Sequence, residues 1–229
     1  MRHLSVLVLS IFFVQLTFAQ INELGLYLGG SNFIGDVGAT DYISPNQLAI
    51  GGIYKWNRSR RHSYRASLIF TTLEGIDINS DDPRRIQRGY EFSSNIMEAS
   101  VGMEFTFTEF NLHSERKIST PYLHTGITVA KHDNHYFLNG VQTQENTSSW
   151  AYGIPMTLGF KTTFIDNIVL GIEVGARYTF SDELDGSIPD ANRRAEYSFG
   201  NINNNDWYMF SGITLTYTFG ENPCYCVNE

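Results

Sequence analysis

After residue 19 the chain has no apolar run of 18 residues or more, which excludes an ordinary transmembrane helix there. Cysteine is almost missing: the 229 residues hold two, Cys224 and Cys226, both in the last six positions. Basic residues are scarce as well. Without Arg2, 15 lysines and arginines face 24 acidic residues, a net charge near −9 that argues against a nucleic-acid partner. Phosphate-cradling glycine loops and metalloprotease motifs are absent. The stretch Asn201-Ile202-Asn203-Asn204-Asn205-Asp206 reads as a loop tip, since it lacks the glycine and distal glutamate of a calcium loop.

What is present begins with an export signal. Arg2 and His3 precede a mostly apolar run from Leu4 to Leu16. Thr17-Phe18-Ala19 then places small residues at −3 and −1 of a cleavage point before Gln20. Residues 1–19 therefore read as a secretory signal peptide. With no cysteine just after the run, lipoprotein processing is not expected.

The rest of the chain alternates. In Ile168–Phe180 one face reads Ile168, Leu170, Ile172, Val174, Ala176, Tyr178, Phe180, and the other reads Val169, Gly171, Glu173, Gly175, Arg177, Thr179. A period of two means a strand with two different faces. Thirteen residues at about 3.3 Å each span roughly 43 Å, longer than the usual soluble strand. Strands with this pattern are expected near 22–34, 46–56, 62–73, 90–108, 121–132, 149–162, 167–180 and 207–219. The gaps at 35–45, 74–89, 133–148 and 181–206 are long and polar, whereas 57–61 and 163–166 are tight and 109–120 is intermediate.

An even strand count, alternating loop lengths and aromatics at strand ends (Trp56, Tyr64, Phe107, Trp150, Phe160, Phe180, Phe219) match outer-membrane barrels. The expected fold is all-β: an eight-stranded antiparallel transmembrane β-barrel with short periplasmic turns and long extracellular loops. It occupies residues 20–220, and 221–229 form a periplasmic C-terminal tail. The expected location is the cell outer membrane, with outer-membrane lipid against the aliphatic face. Glu23, Lys55, Arg65, Glu98, Glu104, Lys161, Glu173 and Arg177 share a face with glycines and small polar residues, so they are expected as barrel-interior charges paired across a packed lumen. A soluble lipocalin-like barrel would reverse these faces; loop asymmetry, strand length and aromatic ends favour the membrane.

Candidate chemistry is thin. His132 and His135 would need a third ligand from elsewhere to bind metal, and solvated loop histidines explain them more simply. Glu74, Asp77, Asp81 and Asp82 precede Arg84, Arg85 and Arg88, which points to a self-paired loop. His62, His113 and His124 have no serine or aspartate partner fixed by spacing, so no catalytic residues, metal or cofactor are expected. The densest basic cluster is Trp56-Asn57-Arg58-Ser59-Arg60-Arg61-His62 in the first tight turn. It suits lipid headgroups or the docking of an acidic periplasmic protein. Cys224 and Cys226, one residue apart, fit either a small strained disulfide in an inert tail or a partner-docking tail.

The opening Glu23-Leu24-Gly25-Leu26-Tyr27-Leu28-Gly29-Gly30-Ser31-Asn32-Phe33-Ile34-Gly35-Asp36 resembles the first strand and Gly-Asp loop of PorG-like outer-membrane proteins of the type IX secretion system. Ser44-Pro45-Asn46-Gln47, Trp207-Tyr208-Met209-Phe210-Ser211-Gly212, and Tyr217-Thr218-Phe219-Gly220 running into Pro223-Cys224-Tyr225-Cys226 are similar to that family too. The resemblance implies a non-catalytic component of protein secretion that tethers a periplasmic ring, made of a lipoprotein and its partner, to the outer membrane. Arg58, Arg60, Arg61, Cys224 and Cys226 would then be the partner-binding residues. The alternative is a stand-alone OmpA- or OmpX-like small barrel whose external loops bind a surface ligand.

Overall fold

A computed structural model describes residues 21–112, 116–189, 192–201 and 205–220. The expected signal peptide, the tail at 221–229 and both cysteines lie outside the described residues. Eight strands run in chain order: β1 (Ile21–Ile34), β2 (Gln47–Asn57), β3 (His62–Ile76), β4 (Glu91–Thr106), β5 (Ser119–Leu138), β6 (Val141–Ile165), β7 (Ile168–Thr179) and β8 (Trp207–Phe219). Each pairs antiparallel with its sequence neighbour. β8 returns to β1, from Asn22 opposite Phe219 to Ile34 opposite Trp207, and closes the barrel. Closure leaves the sheet with no free edge.

The alternation sets the faces. Leu24, Leu26, Leu28, Leu48, Ile50, Val101, Ile127, Leu158, Ile172 and Leu215 are exposed on the outside, and the residues between them are buried within. Aromatic rings collect towards both ends of this apolar wall. Trp56 packs on Tyr64 with centroids 5.4 Å apart, and Tyr178 packs on Trp207 at 4.9 Å at the opposite end. No helix among the described residues is long and apolar enough to cross a membrane, a criterion that does not concern strands.

One strand pair departs from the sequence expectation. The polar segment 133–148, expected as a long loop, is instead the upper part of a β5–β6 hairpin. The turn is Asn139-Gly140, with φ of 53° and 84° at its two residues. Both residues are left-handed, the conformation of the two-residue turns whose twist suits a hairpin. Register slips once, between Asp133 and His135. His132 and His135 therefore stand on a strand and are buried, and His135 stacks on Phe92 at 5.3 Å.

Candidate functional site

Inside the barrel the charges balance: Lys55, Arg65, Lys161 and Arg177 are buried with Glu23, Glu98, Glu104 and Glu173. Arg65 grips Glu173 through two donors at 2.6 and 2.8 Å, and the Tyr122 hydroxyl donates to the same carboxylate at 2.6 Å. Gly159 makes room for that tyrosine, because a Cβ there would run into the Tyr122 ring. Glu104 is shared by Lys55 at 2.8 Å and Lys161 at 2.6 Å. One step higher, Arg177 Nε reaches Glu98 at 3.2 Å, and Tyr208 donates to Glu98 at 2.6 Å. Glu23 takes hydrogen bonds from Asn57 and Thr216. Two-point grips and shared carboxylates suit a site where unpaired charge costs several kcal/mol.

Both ends of this ionic column are stoppered. At the end with short turns, Phe110 tucks under Lys161, 4.6 Å from ring centroid to ammonium. At the other end Phe33, Val37, Leu73, Phe92, Phe137 and Leu184 form a buried apolar cluster. Val37 and Leu184 come from the long loops, so those loops fold down into the barrel mouth. Among the described residues the lumen is packed.

The short-turn end holds the expected partner-binding arginines. Arg58 and Arg61 are exposed, and Arg60 pairs with Glu109 at 3.2 Å. Ser59 Oγ lies 3.2 Å from His62 Nδ1, but this contact closes the turn. The same oxygen accepts from the Arg61 and His62 amides, and the His62 ring packs on Phe105. Among the described residues, no group of three His, Cys, Asp or Glu side chains is arranged to hold a metal ion. No catalytic constellation accompanies the turn.

The end with long loops is more elaborate. The helix Pro83–Arg88 starts at Asp82, whose side chain accepts from the Arg84 amide, and ends at Gly89 with φ of 69°. Its last residue, Arg88, donates twice to Asp77, at 2.7 and 2.9 Å, and once to the Asp36 carbonyl at 2.7 Å. Burial alone would raise the Asp77 carboxyl, yet Arg88 and the amides of Gly38 and Tyr90 hold it below the ordinary range. These contacts clasp the 35–46 loop to the 77–90 loop. The 180–206 segment joins them through Asp185, which accepts from the amides of Asp36, Val37 and Ser187. Asp206 accepts from the Leu184 amide. Burial and the neighbouring carboxylates push Asp182 up to about 7 and raise Asp185 and Asp206 as well. Asp182 and Asp185 lie close together in the sequence, but only the fold brings Asp36 and Asp206 beside them from other segments.

Between the first two long loops and β3 lies a crevice of about 210 Å³. Asn32, Asp41, Ser44, Asn46, Glu74 and Asn79 line it, so its walls offer carboxylates, amides and a hydroxyl. Gln47 orients the Glu74 carboxylate at 2.9 Å, and Asn32 donates to the Asp41 carbonyl at 2.8 Å. The crevice is polar and acidic, and the clasped loops hold it open.

Comparison with known proteins adds three similar solved structures. The attachment invasion locus protein Ail of Yersinia pestis, in complex with the heparin analogue sucrose octasulfate, has 10% identity and a TM-score of 0.48, covering 87% of this chain and 99% of that one. Neisserial surface protein A has 9% identity and a TM-score of 0.45, over 88% and 97% of the two chains. The N-terminal β-barrel domain of Pseudomonas aeruginosa OprF has 10% identity and a TM-score of 0.39, over 88% and 98%. No curated protein matches.

These findings correct the expected PorG-like identity and the ring-tethering role in type IX secretion that followed from it. None of the proteins named above carries the name of a type IX secretion component. The physical reason lies in the motifs that carried the resemblance. Alternating glycine and aromatic residues are what any small barrel needs for its two faces and its ends, so they do not separate one barrel family from another. Residues 2–228 match a single family, described as a domain of unknown function, and the chain belongs to that family, DUF6089.

Proposed function

We propose that this chain is a stand-alone outer-membrane barrel whose external loops bind a surface ligand. The long-loop end faces outwards and the short-turn end faces the periplasm. The observation that carries the reading is the division of the molecule: an apolar outer wall, a lumen stoppered at both ends among the described residues, and a polar crevice between clasped loops at the long-loop end. An apolar exterior of this extent suits acyl chains, and a closed barrel satisfies its backbone without water. With the lumen packed among the described residues, the outward-facing polar groups available for recognition are those of the long loops.

The crevice chemistry names the ligand class. Asp41 and Glu74 offer acceptors to an ammonium or to hydroxyls, with Asn46 and Asn79 beside them. An amino sugar or a neutral glycan meets these groups; a polysulfated one meets two like charges.

The test uses the full-length barrel in bilayers against a panel of neutral, amino-sugar and sulfated glycans. Binding to amino-sugar or neutral members is expected, with a loss of tenfold or more in an Asp41→Asn/Glu74→Gln double variant. Changing Arg58 and Arg61 to Ala should leave binding intact, and single-channel recordings should stay at the leak level. A conducting barrel, or binding indifferent to the crevice, would overturn the reading.

A further inference from the structure

The outer wall is not uniformly convex. Across β2 to β5 a depression of about 520 Å³ opens on the outside. Its lower rung follows the register, with Ile50 opposite Phe70, Phe70 opposite Met97, and Met97 opposite Lys131. The rung above, nearer the long loops, contains Thr72 opposite Asn95, and Asp133 lies two residues beyond Lys131 on the same face. An apolar floor thus runs up into a polar brim. Thr72 Oγ1 donates to the Asn95 side-chain oxygen Oδ1 at 3.1 Å, so the side-chain nitrogen Nδ2 of Asn95 is the group left to donate.

Lys131 is the unusual member. It stands exposed on the outward face between Met97 and Trp150, and it makes no ion pair among the described residues. A lysine on that wall needs an anion or water at the interface, and a neighbouring Trp marks the depth where headgroups sit. Asp133 takes one hydrogen bond, from Ser148 at 3.4 Å, and keeps its other oxygen. Residues i and i+2 of a strand stand about 6.6 Å apart. The brim therefore presents a cation and an anion at a separation that a phosphate joined to an ammonium by two carbons can bridge.

We propose that this depression is a binding site for one outer-leaflet lipid whose headgroup carries both a phosphate and a primary ammonium. Its acyl chain lies along Ile50, Phe70 and Met97, its phosphate meets Lys131 and the Asn95 amide, and its ammonium meets Asp133. The inference rests on the outer-membrane reading above and adds to it a specific lipid partner.

The experiment places the full-length barrel in nanodiscs of equal parts phosphatidylethanolamine, phosphatidylglycerol and phosphatidylcholine, then reads the lipid retained by native mass spectrometry. Heat-modifiable migration on gels reports separately whether the barrel has folded into the bilayer. One retained phosphatidylethanolamine is expected, enriched about fivefold or more over the other two lipids. Lys131→Gln should remove retention and Lys131→Arg should keep it. Asp133→Asn should abolish the preference over phosphatidylglycerol, and Thr72→Trp should block the depression while leaving both charges. Folded wild-type barrel that retains no lipid, or retains all three equally, would overturn the site but not the membrane reading. Failure of every form to enter the bilayer would overturn both.

Discussion

Replacing Arg65 with methionine is expected to lower the stability of the barrel by about 3–5 kcal/mol, the usual cost of removing one partner of a buried ion pair. Among the described residues, Arg65 supplies two of the three side-chain hydrogen bonds to the Glu173 carboxylate, and its side chain is 1% exposed. Without it, Glu173 keeps only the Tyr122 hydroxyl. Two other lumen cations, Lys55 and Lys161, are committed to Glu104. Two comparisons separate this effect from simple loss of packing. An Arg65→Met/Glu173→Met double variant removes both charges together and should recover most of the loss. Arg84→Ala should cost under about 0.5 kcal/mol, because its pairing with Asp82 at 3.5 Å is at the surface, where ion pairs contribute little. Urea unfolding from bilayers, followed by tryptophan fluorescence, measures all three. If Arg65→Met matched Arg84→Ala, the lumen pairs would not hold the barrel together.

The same network shows what could be read from residues alone. A period of two assigns each side chain to a face, and a face that mixes Glu98, Glu104, Glu173 and Arg177 with glycines has to be the sheltered one once the aliphatic face is turned to lipid. Who pairs with whom is a different matter. Arg65 and Glu173 lie 108 residues apart, and only the barrel's register and tilt make them neighbours. The β5–β6 extension escaped because a hairpin standing clear of the apolar wall no longer needs an apolar face, so Asn134, Gln144 and Ser148 read as loop. Its signal was the Asn139-Gly140 dipeptide. The stopper was equally hidden: Val37, Leu184 and Phe199 are single apolar residues within polar loops, and no periodicity marks them. Family membership escaped because the quoted motifs express barrel geometry rather than ancestry.

Raising the pH from 5 to 8 is expected to loosen the 180–206 loop from the barrel mouth. Asp182, Asp185 and Asp206 are buried side by side with Asp36, and burial is the first cause of their raised values. Asp182 Oδ2 and Asp206 Oδ1 have no hydrogen-bond partner among the described residues. Around them stand Glu183 on the same loop and His135 on β5, while Arg88 is drawn towards Asp77 and Arg194 towards Glu145 at 2.8 Å. The sign follows from the direction of the shift. An open loop would release its Asp182 proton near 3.8, whereas the closed loop holds it to about 7. Below 3.8 both forms are protonated and closure keeps its full stability. Between 3.8 and 7 the open form sheds its proton first, so closure weakens steadily, and above 7 the Asp182 contribution is gone. Each pKa unit is worth about 1.4 kcal/mol, and solvent screening of a partly desolvated carboxyl reduces the Asp182 share to about 1–2 kcal/mol. Protection of the Leu184 and Ser187 amides against hydrogen exchange, corrected for the intrinsic rate, should therefore fall about tenfold across that range. Asp182→Asn mimics the protonated form and should hold protection high with a much flatter profile. Protection that rises with pH, or an Asp182→Asn profile as steep as the wild type, would mean that the carboxylates are relieved by something other than protons.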